Sequence, residues 1–144
     1  MNIWHNKALQ PHHINALNPG TLGEHIGLEC TEVGDDYLVG TLPVDHRTVQ
    51  PYGLLHGGAS CVLAETLGSV ASAMVVDHEK YMTLGIEINA NHLRAIKEGK
   101  AIGTCRPLQL GKTLHVWEIR ICDERNRLCC VSRLTVMVKE RKGL

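Results

Sequence analysis

His56-Gly57-Gly58 opens the stretch Ala59-Ser60-Cys61-Val62-Leu63-Ala64-Glu65-Thr66-Leu67-Gly68-Ser69-Val70-Ala71-Ser72-Ala73-Met74-Val75-Val76, and the reading of this stretch decides the fold. At about 100° per residue, Leu63, Leu67, Val70 and Met74 fall on one apolar stripe of a helix over 59–76. Glu65 lies on the opposite side, flanked by Cys61, Ser69 and Ser72, while Ala59, Ala64, Gly68, Ala71 and Ala73 fill the remainder. Glu65 is the only charge before Asp77. A helix so poor in solvating charge is expected to be buried nearly all round, so the rest of the chain must wrap it.

Downstream, Met82–Asn91 alternates, with Leu84, Ile86, Ile88 and Ala90 expected on one face. Lys100–Leu110 and Leu114–Asp123 read as strands joined through Gly111-Lys112-Thr113. In the second of them Leu114, Val116 and Glu118 alternate with His115, Trp117, Ile119 and Ile121. The polar run 123–127 is a turn, and Leu128–Val138 is a last strand rich in β-branched residues. Upstream, Leu28–Val33 and Tyr37–Pro43 flank the turn residues Gly34-Asp35-Asp36 as a hairpin. Val44–Leu55 reads as a loop. The order is β-β-α-β-β-β-β, an α+β architecture in which an antiparallel sheet of about six strands curls around one long helix. Residues 1–21 read as an irregular leader with a short helix near Ile14–Leu17. Ordered structure is expected from about Gly27, and 22–144 form a single domain.

At 144 residues the chain has room for one domain and core. Fifteen basic residues balance fifteen acidic ones, and aromatics are only 3% with no Phe, which argues against a nucleic-acid footprint or a base-stacking platform. The N-terminus lacks a signal-peptide pattern, and the apolar run Val70–Val76 is too short to span a bilayer, so no membrane partner is expected. Six cysteines at 30, 61, 105, 122, 129 and 130 show no C-x-x-C pair and read as free thiols in a cytoplasmic protein.

Glu65 carries the most chemical information. A carboxylate buried on an apolar helix is costly unless it is paired or working, and burial would ready it as a base or nucleophile. Pairing with an arginine, or capping a backbone group, is the structural alternative. Glycines at 57 and 58 let a ligand approach the helix start, where free N–H groups and the dipole hold an oxyanion; a tight turn would explain them equally well. Gln50 offers an uncharged donor nearby. Ser60 lacks the nucleophile-elbow context, since position 62 is valine. None of the histidines shows ligand spacing, so no metal is expected. Arg94, Lys97, Lys100, Arg106 and Lys112 form a solvated rim or receive phosphates.

Gln50-Pro51-Tyr52-Gly53-Leu54-Leu55-His56-Gly57-Gly58 with Leu63-Ala64-Glu65 closely resembles the signature of hotdog-fold acyl-CoA thioesterases of the phenylacetate-pathway type. Pro43–Thr48, Gly85–Arg94 and Leu128–Thr135 extend the match to about residues 22–138. They resemble the bacterial subgroup that holds the menaquinone-pathway 1,4-dihydroxy-2-naphthoyl-CoA thioesterase and its enterobactin-pathway proofreading relative. The resemblance implies a homodimer with sheets joined edge to edge, usually doubled to a homotetramer, with Glu65 of one subunit facing Gln50 and His56 of the other. It implies an oxyanion at the Gly57 N–H, Glu65 as base or nucleophile, Gln50 and His56 holding the thioester, and Ser69 positioning water. It places an acyl-CoA or aryl-CoA substrate along Gly85, along His92, Leu93, Arg94 and Ala95, and along Gln109, Leu110, Gly111, Lys112, Thr113 and Leu114. CoA belongs to the substrate, so no cofactor is implied. Competing readings are a hotdog dehydratase, whose D-x-N-P-x-H element is missing here, a carrier-protein proofreading thioesterase, and a non-catalytic CoA-ligand sensor.

Overall fold

The computed structural model describes residues 1–142. Two short helices, α1 (Pro11–Asn15) and α2 (Leu22–Ile26), precede the hairpin β1 (Glu29–Val33) and β2 (Leu38–Pro43). Then come α3 (Gly57–Val75), β3 (Tyr81–His92), β4 (Lys100–Leu110), β5 (Leu114–Cys122) and β6 (Leu128–Glu140). All pairings are antiparallel, in the order β1-β2-β4-β5-β6-β3. After α3 the chain therefore crosses to the far edge of the sheet. The expected succession of elements, β-β-α-β-β-β-β, and the central helix are present.

The sheet covers α3 on one side. Leu63, Ala64, Leu67, Gly68, Ala71 and Ser72 are buried against Leu38, Leu42, Trp117, Ile119 and Leu134. A Cβ on Gly68 would stand 2.6 Å from a Leu134 methyl, so the helix approaches β6 as closely as it does because that position is bare. The other side of α3 is open: Glu65 is exposed, and Cys61 and Ser69 are half-buried. This corrects the expectation of a helix buried all round, because one sheet of six strands covers only one helix face. By length and composition α3 could cross a bilayer, but here its apolar face packs on the sheet.

β3 departs from its expected facing as well. The ladder with β6 shifts between Gly85 and Glu87, a bulge that extrudes Ile86 and reverses the alternation. Ile88 and Ala90 pack on the core, whereas Leu84 and Ile86 stand 44% and 56% exposed. The open edge of β3 has no strand beside it among the described residues.

The leader is part of the domain. Trp4, Leu9 and Ile14 are buried in the same core, and ordered structure begins well before Gly27. The Trp4 indole donates to the Gly34 carbonyl (2.7 Å), and the His5 N–H caps the Met74 carbonyl near the end of α3 (2.8 Å). Along the β1 edge, the Asn15 amide donates to Cys30 O and accepts from Cys30 N, both at 2.8 Å, as a neighbouring strand would. Asn18 takes Leu28 O in the same way. Of the unit expected over 22–144, residues 143 and 144 lie outside the described residues.

One buried polar chain crosses the core. The Trp117 indole donates to Ser72 Oγ (2.7 Å), which lies 3.1 Å from His115 Nδ1. Burial pushes the His115 imidazole below its ordinary value, against the opposing pull of a hydrogen bond with the Gly111 backbone. A base depressed in the folded state contributes stability that is full above its unfolded value, about 6.5. That contribution drains away as pH falls from there through the folded value. Melting temperature should therefore decline as pH drops below about 6.5, and His115→Asn should flatten the slope; an unchanged slope would exclude His115 as its source. Burial likewise pushes the Cys30 and Cys130 thiols up to about 11, as suits cysteines packed as small apolar groups.

Candidate active site

The loop ahead of α3 is held rigidly. Thr48, buried, donates through Oγ1 to Pro43 O (2.6 Å), and Thr48 O accepts the His56 N–H (2.8 Å). Within it, Gln50 closes a tight turn: its N–H donates to Leu54 O and its carbonyl accepts from Gly53, both at 2.8 Å. The Gln50 side chain accepts the Tyr52 N–H (2.5 Å). Since an N–H can only donate, that acceptor is the amide oxygen, and the two Nε2 donors remain for the cleft that Gln50 lines.

His56 is the N-cap of α3, a role the sequence reading missed because Ser, Thr, Asp and Asn are the usual caps. Its Nδ1 accepts the Gly58 N–H (2.8 Å), which leaves the proton on Nε2. The Ala59 and Ser60 N–H groups go back to His56 O at 2.9 and 3.3 Å. Among the described residues the Gly57 N–H has no acceptor. It stands alone at the positive end of a 19-residue helix, aimed where an anion would be held. A Cβ on Gly57 would come within 2.9 Å of His92 Nε2, so only glycine admits the imidazole this close. The cleft holds about 390 Å³ and is lined by Gln50, Leu54, Leu55, Gly57, Ser60, His92–Ile96 and Cys129.

The remaining expected residues are dispersed. Glu65 lies eight residues into α3, about 12 Å of axial rise from Gly57, beyond the reach of a carbonyl held there in the same chain. It sits over Gly85, where a Cβ would stand 3.1 Å from its carboxylate. The burial expected for Glu65 is not supplied by one chain. Ser69 follows Glu65 by one turn on the same side. His92, Leu93, Arg94 and Ala95 border the cleft, but Leu110, Gly111, Lys112 and Thr113 line a separate cavity of about 880 Å³ beside Val75 and Val76, at the opposite end of α3. Gln109 and Leu114 flank that turn. One chain thus divides the expected CoA contacts between its two ends. Arg106 is already engaged, by Asp36 (2.9 Å) and by the Tyr37 ring (4.4 Å).

Residues 52–130 match the family described as the thioesterase superfamily. The chain belongs to the thioesterase superfamily. It is 50% identical over 125 residues to the 1,4-dihydroxy-2-naphthoyl-CoA hydrolase of Escherichia coli, covering 87% of this chain and 91% of that one. To the proofreading thioesterase EntH of Cronobacter turicensis it is 52% identical, covering 87% and 90%. The crystal structure of a mutant thioesterase from Pseudomonas aeruginosa superposes with a TM-score of 0.94 at 40% identity, covering 96% and 99%. This thioesterase is accordingly a thioester hydrolase with the hotdog fold, as its sequence resemblance implied.

Proposed function

We propose that this thioesterase hydrolyses acyl-CoA and aryl-CoA thioesters to free acid and CoA, at sites that two copies of the chain complete together. The observation that carries this reading is a division of labour. The unclaimed Gly57 N–H and the Gln50 amide donors meet at one cleft, next to the His56 N-cap, while the only carboxylate on α3 lies two turns away. A homodimer joined along the open β3 edge brings Glu65 of one copy to the Gly57 of the other; two such dimers make a homotetramer. Six free thiols suit a cytoplasmic setting.

In this site the thioester oxygen takes the Gly57 N–H, and the helix dipole and Gln50 steady the negative charge that forms on it. Glu65 accepts a proton from water as the water oxygen bonds to the carbonyl carbon. When the C–S bond breaks, its electron pair goes to sulfur, and the proton held by Glu65 passes to the thiolate. Attack by Glu65 itself would give a mixed anhydride that water then opens, with the same products. The His56 Nε2–H and the Ser69 hydroxyl orient the thioester end and the water.

Identity of 50% to the named naphthoyl-CoA hydrolase makes an aryl group the first choice, with 1,4-dihydroxy-2-naphthoyl-CoA its sharpest version. A misacylated carrier protein presents the same phosphopantetheine thioester and is the second reading, favoured by 52% identity to EntH. Thiol release should be measured with benzoyl-CoA, a hydroxynaphthoyl-CoA, octanoyl-CoA, palmitoyl-CoA and a misacylated carrier protein. We expect the aryl-CoA substrates to turn over fastest. Release from the carrier protein alone would move the function to proofreading, and release from none would overturn the reading.

A further inference from the structure

The floor of the cleft carries a group that the chemistry above leaves idle. Exposure falls steeply along the lining. His92, Leu93, Arg94 and Ala95 stand open at the rim, whereas Ser60, Ile96 and Cys129 are 5%, 5% and 3% exposed. Of these three deep side chains, that of Ile96 is apolar and the Cys129 thiol already donates to Arg127 O (3.1 Å). The Ser60 hydroxyl makes no hydrogen bond among the described residues. No fully enclosed side-chain oxygen is left unpaired there, so the small exposed part of Ser60 includes its Oγ, turned into the cleft.

That position relates Ser60 to the thioester. Gly57 and Ser60 are neighbours on one helix face, three residues apart, and Cα–Cβ bonds lean toward the helix N-terminus. Ser60 Oγ therefore leans back toward the level at which the Gly57 N–H meets a carbonyl oxygen, on the floor rather than at the rim. The CoA arm must leave through the rim to reach solvent. Its two amides would also go unsatisfied against Leu55, Ile96 and Cys129. The acyl group is left to take the floor, which offers it apolar walls and a single hydrogen-bonding point.

We infer that Ser60 is a specificity-determining residue: its hydroxyl bonds a hydroxyl substituent on the acyl group and selects hydroxyaryl over unsubstituted aryl thioesters. This role rests on the CoA-thioester hydrolysis proposed above. A site that bonds a substrate hydroxyl penalises the analogue lacking it, because its own polar group is then buried unpaired.

The test is thiol release by the full chain with paired substrates. Hydroxynaphthoyl-CoA is set against naphthoyl-CoA, and the hydroxybenzoyl-CoA isomers against benzoyl-CoA. Wild type should favour at least one hydroxylated member by about tenfold in kcat/KM. Ser60→Ala should abolish that preference by slowing the hydroxylated member, while the unsubstituted one stays within about twofold of wild type. Cys129→Ala reshapes the same floor without removing a free hydroxyl and should leave the ratio unchanged. Melting curves check that both variants fold. Wild type without a preference, a preference that survives Ser60→Ala, or one that Cys129→Ala also removes, overturns the assignment. So does an equal loss on every substrate, which would put the hydroxyl on the thioester itself. All four outcomes leave the thioesterase reading standing. Absence of release from every acyl-CoA by wild type would remove that reading, and the role of Ser60 with it.

Discussion

Glu65→Gln is expected to lower kcat by about 10³-fold while KM for acyl-CoA changes by no more than a few-fold. The carboxamide keeps the size and shape of the side chain but can neither take a proton from water nor attack a thioester carbon. Glu65 makes no ion pair or side-chain hydrogen bond among the described residues and is exposed in the single chain, so its replacement should leave the fold intact. The groups proposed to hold the thioester line the cleft around Gly57, Gln50 and His92, which is why the loss should fall on turnover. Thiol release under saturating substrate, paired with a melting curve, separates the two effects. A Glu65→Gln protein with undiminished kcat would remove Glu65 from the mechanism.

Trp4→Ala should cost about 3–5 kcal/mol of stability, the range for deleting a fully buried aromatic ring. Trp4 is 1% exposed, and its removal also leaves the Gly34 carbonyl without the indole donor. For a chain of this size the loss corresponds to a drop in Tm on the order of 10 °C. Calorimetry on the purified variant reads it directly. A Tm within a degree or two of wild type would mean that the first residues are an appendage, contrary to their place in the core.

Local pattern carried the parts of this fold that depend on local physics. Leu63, Leu67 and the small residues between them announce a helix that packs closely, and the alternation His115, Trp117, Ile119, Ile121 announces which side of β5 is buried. The chemistry at the helix start was legible for the same reason, since His56-Gly57-Gly58 is a contiguous device. What escaped depends on distant partners. Leu84 and Ile86 alternate correctly in sequence, yet a single extruded residue, visible only in the ladder with β6, turns them outward. The leader looks irregular because its anchors are one indole and two asparagine amides that reach residues 10 to 30 positions away. Glu65 was expected to be buried because a lone carboxylate on an apolar helix usually is; the helix pattern cannot say that the chain's own sheet covers only the other face of α3.

The amide of Asn15 has a consequence for how large the particle can grow. A sheet with two accepting margins is a monomer for polymerisation: each addition recreates the surface that received it, and nothing halts the process. Here one margin is occupied from within by a side chain that imitates a strand, on a β1 of only five residues already broken by a register shift. The opposite margin, along β3, stays available. Such a sheet can be extended once, after which both outer margins are the sealed kind, so the chain carries its own stop signal against fibre growth.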